Sequence, residues 1–446
     1  MFSGESDLPV AGHPQAIYLK KAPMSSSSGE ADVRDLVAGM LRDIEDGGEA
    51  KAIEYSRKFD KWEGDIIVPQ AVIDAAEEQV SQRLKDDLRF ARDRVRGFAE
   101  AQLRSMSEFE TELSPGLFAG QKLIPVRTAG CYIPGGRYSH VASAIMSVTT
   151  AKVAGVKNVI ACSPPNRDGG VNPAILYTLK LAGVDQILAL GGVQGIAAMA
   201  FGLFTGHKAD MLVGPGNQYV AEAKRLLFGR VGIDMFAGPT EILVIADDTA
   251  DPWIVATDLA SQAEHGPNSP AWLISTSRKL AEDVMRRMPD AIETLPEPNR
   301  TAAREAWRDY GEVVVTQSRE EAVRISDNYA AEHLQVQTAD PQWWLNRLRN
   351  YGSLFLGEET TVSFGDKTSG TNHILPTKGA ARYTGGLSVG KFIKTVTYQR
   401  STRDANRDVA AVTARISRLE GMEGHARSGD VRLAKYFPGE VFELSG

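Results

Sequence analysis

The sequence predicts an α/β protein: two parallel-sheet domains of related design, preceded by a helical layer and closed by a small helical segment. Three observations predict it. From Gly130 the chain alternates short β-branched runs with helix-length stretches: CYIPGG, SAIMSVTTAKVAGV, NVIACSPP, NPAILYTLKLAG, QILALGG, VQGIAAMAFGLF, DMLVGPG, NQYVAEAKRLLFG. Repeats of strand, turn and helix at that spacing argue for parallel strands covered by helices. A second alternating block carries EILVIAD, AWLISTS, GEVVVT and GSLFLG with helical stretches between them. Upstream of both, DLVAGMLRDIEDGG, AKAIEYSRKFD and LKDDLRFARDRVRGFAEAQLR place apolar residues at three- and four-residue intervals, the period of a helix face.

Taken in order, residues 1–30 are rich in Ser, Gly and Pro and read as an arm that enters a helix capped at Ser28 or Asp32. Residues 31–128 form the helical region, expected to pack on the second α/β domain. Residues 129–236 are the first sheet domain and 237–380 the second, which ends in the glycine-rich stretch SFGDKTSGTNHILPT. Residues 381–446 hold two helical stretches, RDANRDVAAVTARISRLEG and GHARSGDVRLAKYF. That tail is short for a domain and needs another domain or subunit to pack on.

Composition narrows the function classes. With 446 residues, 43% of them hydrophobic and 24% charged, the chain is of ordinary globular type. A net charge of -7 gives no basic footprint for nucleic acid, so a small anionic substrate would have to be met by local Lys or Arg. Its two cysteines, Cys131 and Cys162, lie in apolar runs without ligand spacing and read as buried small hydrophobes. No apolar run reaches a membrane span and the N-terminus lacks a signal-peptide pattern, so a cytoplasmic enzyme is the expectation.

In parallel sheets ligands bind beyond the carboxyl ends of the strands. That directs attention to the turns at Pro134 to Arg137, Gly191 to Gln194 and Gly214 to Asn217. No GxGxxG follows the first strand, which makes these domains incomplete versions of the Rossmann design. The GGVQG and GPGNQ turns still allow close approach to a phosphate, with a helix N-terminus behind each. In DLASQAEHGPNSP, Gln262 and His265 stand three residues apart at the end of a helix and share a face; a lone His there is otherwise a partner for the helix dipole. Glu332 and His333 in YAAEHLQV are acid–base candidates, although on local grounds an adjacent pair reads as surface. Asp366 and His373 lie in the glycine-rich stretch, and Glu420 and His425 in EGMEGH. Imidazole, carboxylate and a Gln carbonyl make a nitrogen and oxygen shell suited to zinc.

These residues sit in motifs that match a known family. YIPGG, AKVAGVKNVI, GGVQGIAAMAFG, DMLVGPGNQYVAEAKR, GIDMFAGPTEILVIAD, DLASQAEHGP, AEHLQV and GDKTSGTNHILPT occur in order, and the chain resembles the histidinol dehydrogenase family over nearly its whole length. The resemblance implies a zinc- and NAD-dependent four-electron oxidation of a primary alcohol, through a bound aldehyde, to a carboxylate. It implies Gln262, His265, Asp366 and His425 as zinc ligands and Glu332 and His333 as the catalytic pair. NAD contacts would include Tyr132, Gln194 and Asn217, with Thr240, His373 and Glu420 around the substrate. It further implies an intertwined homodimer in which the C-terminal segment completes the partner's site.

Departures from the family pattern point to the substrate. RYSHVASAIMSVTT follows YIPGG, bringing Arg137 and His140, and KGAARYTGGLSVGKFIKTVTYQR follows GTNHILPT, bringing Lys391 and Lys394. Thr240 stands where a serine is usual. Added cations would not help a cationic substrate such as histidinol, but would help an anion. The departures resemble the branch of the family that oxidises (R)-2,3-dihydroxypropane-1-sulfonate to (R)-3-sulfolactate. Arg137, His140, Lys391 and Lys394 are the candidates for the sulfonate, and oxidation of L-histidinol to L-histidine is the alternative.

Overall fold

The structure, a computed structural model, describes residues 16–24, 30–135, 140–166, 169–235 and 238–444. The chain divides into two compact units, Met1–Leu103 with Val126–Phe392, and Arg104–Pro125 with Ile393–Gly446.

The chain begins with β1 (Ile17–Lys20), then α1 (Glu30–Tyr55), α2 (Gln70–Glu78) and α3 (Gln82–Arg104). The spacing of Val37, Met40, Leu41 and Ile44 gives α1 one apolar face, and all four are buried. Each such side chain contributes roughly 1.5–3 kcal/mol. Next come β2 (Phe109–Ser114) and β3 (Leu117–Pro125), an antiparallel pair. The first sheet domain opens with β4 (Thr128–Tyr132), followed by α4 (Val141–Ala144), which runs through a π-helical turn into α5 (Thr150–Val153). β5 (Asn158–Ser163), α6 (Pro173–Ala182), β6 (Gln186–Ala189), α7 (Gly192–Phe201), β7 (Met211–Val213), α8 (Gln218–Leu227) and β8 (Gly232–Ile233) complete it.

The second sheet domain holds β9 (Ile242–Ala246), α9 (Pro252–Ala263), β10 (Ala271–Ser275), α10 (Arg278–Glu293), α11 (Asn299–Tyr310) and β11 (Glu312–Val315). It continues with α12 (Arg319–Tyr329), β12 (His333–Gln337), α13 (Pro341–Leu345), β13 (Ser353–Leu356) and α14 (Val362–Lys367). The chain then forms β14 (Ile393–Ser401), α15 (Asn406–Leu419) and α16 (Glu423–Tyr436).

The sheet orders are β6-β5-β4-β7-β8 and β1-β11-β10-β9-β12-β13. Apart from β1, which is antiparallel, every pair in both sheets is parallel. Counted from its own first strand, each parallel sheet runs third, second, first, fourth, fifth, the order of a doubly wound sheet with a switch point between first and fourth strands. The two domains are thus related in topology, as their alternating sequences imply.

Four features differ from the sequence expectation. Part of the N-terminal arm is β1, which pairs antiparallel with β11 and lengthens the second sheet; Ser28 lies outside the described residues, and α1 begins at Glu30. The helical layer packs on the first sheet domain, not the second: α1 lies against α7 and α8, and α2 against α6. The apolar face of α1 shares one core with Ile160, Leu188, Ile196 and Leu212. Residues 105–125 are not helical; their strands β2 and β3 form, with β14, the three-stranded sheet β14-β3-β2 of the second unit. The C-terminal segment therefore contributes a strand as well as two helices. Finally, HLQVQ is a central strand, buried at every position, because its polar side chains find partners inside.

Candidate active site

Glu332 and His333 are not a surface pair. Helix α12 ends at Tyr329, Ala330 takes a left-handed φ of 50°, and the chain enters β12, which lies beside β9 in the middle of the sheet. Glu332 is 6% and His333 3% exposed. They occupy the amino end of β12, and Thr240 and Glu241 stand just before β9 at the same end.

A short relay joins these groups. Gln262 Nε2 donates to Thr240 Oγ1 at 2.5 Å, and that hydroxyl donates to Glu332 Oε2 at 2.6 Å, which also accepts from the Glu241 amide at 3.0 Å. His333 Nδ1 lies 3.0 Å from the Glu241 carbonyl. A carbonyl only accepts, so Nδ1 carries its hydrogen and Nε2 is the atom that gains or loses a proton. Nε2 is buried with no hydrogen-bond partner and stands 3.7 Å from Asp366 Oδ1. Burial disfavours the imidazolium, but Glu332, 3.5 Å from Nδ1, and Asp366 outweigh it and push His333 up to about 9.

The carboxyls divide by surroundings. Burial pushes Glu332 up, against the pull of His333 and Thr240. Asp366, at the end of α14, is held well below the usual carboxylate range: burial opposes this, and the nearby His333 charge prevails. Glu241, which the sequence reading missed, is 4% exposed and pushed up to about 8 by burial and then by the charge of Glu332. Its carboxylate accepts the Glu332 amide at 3.2 Å. In EILVIAD it is the one charged residue before a wholly apolar strand, a signal that could have marked it.

His373 joins the two sheet domains of the first unit. Its Nδ1 donates to the Asp366 carbonyl at 3.0 Å, and its Nε2 accepts from Ser143 Oγ on α4 at 3.1 Å. Burial pushes it down to about 4, so it is a neutral linker at working pH. His265 follows the end of α9 and is exposed; desolvation and then Asp366 act on it in opposite directions, and its proton affinity is lowered. His140, half-buried before α4, is lowered by desolvation and then by Lys367. Lys367, also missed from the sequence, is 4.0 Å from Asp366 Oδ2, and its charge acts on His140, His265 and His373.

Among the described residues no group of three His, Cys, Asp or Glu side chains could hold a metal by itself. His265 and Asp366 supply an imidazole and a carboxylate, and Gln262, whose NH2 is spent on Thr240, has its oxygen left as a donor. That donor set suits zinc. His425 and Glu420 belong to the second unit, where both are exposed, on and just before α16. Lys394 is exposed on β14 of that unit, and Lys391 donates to Thr384 Oγ1 at 2.8 Å. Arg137 lies outside the described residues.

Of the three turns of the first sheet, that at Pro134 to Arg137 runs beyond the described residues, and the other two are not open phosphate cradles. Gly191 N donates to Asp60 at 3.1 Å and Gly192 N to the Tyr132 hydroxyl at 3.1 Å. Asn217 caps its own helix, accepting from Tyr219 and Val220 at 3.1 Å each. Gly214 N donates to Asp234 at 2.8 Å, and Lys224 Nζ reaches Asp234 at 2.6 Å and the Gly214 carbonyl at 2.8 Å. Gly214 has φ +118°, and a Cβ there would meet the Tyr132 carbonyl at 2.1 Å. The buried Lys224–Asp234 pair thus holds the β7 turn against β4, at the switch point. Side chains take the amides that would otherwise favour an anion.

A family model described as histidinol dehydrogenase matches residues 24–433. The chain is 61% identical over 428 residues to a sulfopropanediol 3-dehydrogenase of Ruegeria pomeroyi, covering 96% of this chain and 98% of that one. It is 39% identical over 403 residues to a histidinol dehydrogenase of Methanothermobacter thermautotrophicus, covering 90% and 94%. A crystal structure of histidinol dehydrogenase from Elizabethkingia anophelis superimposes with a TM-score of 0.87 at 35% identity, over 93% of this chain and 94% of that one.

Proposed function

The chain belongs to the histidinol dehydrogenase family, and from that premise we propose that it oxidises (R)-2,3-dihydroxypropane-1-sulfonate to (R)-3-sulfolactate, with zinc and two NAD. It is an oxidoreductase acting on an alcohol. The observation that carries the chemistry is the buried Glu332–His333 pair, with the two carboxylates of Glu332 and Asp366 on either side of one imidazole.

Zinc held by Gln262, His265 and Asp366, with His425 supplied by a partner subunit, would supply a Lewis acid for the alcohol, and NAD near Tyr132, Gln194 and Asn217 would accept hydride. His333 Nε2 takes the proton of the substrate hydroxyl as the alcohol becomes the aldehyde. Asp366, one of the carboxylates that raise His333, is also a proposed zinc ligand, so engaging it would lower His333 toward the range of a working base. Glu332 then takes a proton from the water that adds to the aldehyde, and Thr240 holds its carboxyl in place. Loss of the second hydride from the hydrate leaves the carboxylate. In sum, alcohol, water and two NAD give carboxylate, two NADH and three protons. The burial of the pair keeps bulk water from the aldehyde.

The 61% identity to a sulfopropanediol 3-dehydrogenase supports the anionic substrate. So does Lys367, an exposed ammonium beside Asp366 at the edge of the site. The test gives the zinc-loaded protein NAD and dihydroxypropanesulfonate, and separately histidinol or an uncharged diol. The expected result is about two NADH per sulfonate, with Lys367→Met raising KM for the sulfonate about tenfold and leaving that for the uncharged diol in place. Turnover of histidinol without turnover of the sulfonate would return the protein to the histidinol reaction.

A further inference from the structure

We infer that Asp60 is a positioning residue of the proposed nucleotide site, and that it sets the direction in which the Gln194 amide points. The inference rests on the reading that the first sheet carries NAD. Asp60 ends a short π-helical turn, Ser56–Asp60, that follows α1. It therefore reaches the site from the helical layer and not from the sheet it serves.

Its Oδ2 accepts from Gln194 Nε2 at 2.8 Å and from the Gly191 amide at 3.1 Å. Gly191 must lack a side chain for this, because a Cβ there would lie 2.6 Å from Asp60 Oδ1. The next amide, Gly192, is already bonded to the Tyr132 hydroxyl. The start of α7 thus faces a carboxylate and a phenol. A pyrophosphate would have to displace a like charge to reach those amides, so the helix end ordinarily open to an anion is closed here.

The second consequence concerns Gln194 itself. An amide with one N–H held by a carboxylate has its NH2 fixed on that side and its oxygen turned to the other. Gln194 is 2% exposed, and its Oε1 lies over the turn, 3.3 Å from where a Cβ of Gly192 would be. Gln194 is therefore an acceptor, suited to a carboxamide NH2 or a ribose hydroxyl of the dinucleotide and not to its phosphates. Losing Asp60 would free the amide to turn and set donors against donors, at the cost of a hydrogen bond made inside a dry site.

The test measures NAD binding to the full-length, zinc-loaded protein by calorimetric titration, alongside KM for NAD and kcat. Wild type comes first: a protein that neither binds nor reduces NAD overturns the cofactor reading, whatever the variants do. Asp60→Leu keeps the approximate size and removes the acceptor of both bonds. It is expected to raise the Kd and KM for NAD about tenfold, with the change in kcat smaller than that in KM. Asp60→Asn can set its own amide oxygen where Oδ2 stands, so it keeps both bonds and should keep an affinity near that of wild type. Should Asp60→Leu fail to fold, Asp60→Ser, too short to reach Gln194, supplies the same comparison. An Asp60→Leu or Asp60→Ser variant with wild-type affinity, or an Asp60→Asn variant as weak as either of them, would overturn the role of Asp60.

Discussion

Glu241 shows how one buried carboxyl sets a pH limit. Its proton affinity is raised from 4.5 to about 8, by burial first and by Glu332 second. Between those values the folded chain holds a proton that the unfolded chain releases, so stability is full below about 4.5 and falls as pH rises to about 8. Glu241→Gln stays neutral and can still accept the Glu332 amide. Denaturant unfolding at several pH values should therefore show wild type losing stability relative to the variant as pH rises through that window; a gain would contradict the assignment. The same residue illustrates the limit of reading by neighbours in sequence. Glu332 and His333 stand out in the sequence as acid–base candidates, but their adjacency reads as surface until β12 is seen to be central.

At the scale of elements, the site depends on one anchor outside it. Asp258, a turn before Gln262 on α9, accepts from Gln335 at 2.7 Å, Gln337 at 3.0 Å and Thr361 at 2.9 Å. Gln335 and Gln337 share β12 with His333, and Thr361 precedes α14, which carries Asp366. One carboxyl thus ties together the helix of Gln262, the strand of His333 and the helix of Asp366. Asp258→Ala would leave buried amides without their acceptor, and should cost about 3 kcal/mol in denaturant unfolding and lower kcat as well. Loss of stability below about 0.5 kcal/mol would refute the anchoring role. The motif DLASQAEH displays Gln262 and His265, but Asp258 gains its meaning only from partners about a hundred residues away.

At the scale of the molecule, two sheets of the same order carry their candidate sites at opposite ends of their strands. The Gly-rich turns of the first sheet lie at the carboxyl ends of its strands, as the rule for open parallel sheets expects. In the second sheet Thr240, Glu241, Glu332 and His333 lie at the amino ends of β9 and β12. A metal there would tie α9 to α14 through His265, Gln262 and Asp366. Chelation is therefore expected to lower both activity and the melting temperature, with zinc restoring both, since a ligand that binds only the folded chain stabilises it. A melting temperature indifferent to zinc, or an Asp366→Ala variant as zinc-responsive as wild type, would argue against these ligands. The α/β class, both alternating blocks, the family and the candidates for acid–base work are legible in the sequence, because periodicity, turn chemistry and motif order are local properties of a chain. Only the tertiary structure decided that the helical layer covers the first sheet, that Glu332 and His333 are buried, that Asp60 and Asp234 occupy the turns left for phosphates, and that Asp258 and Glu241 hold the site. Those facts depend on which distant segments meet, and burial and proton affinity are properties of the meeting and not of the segment.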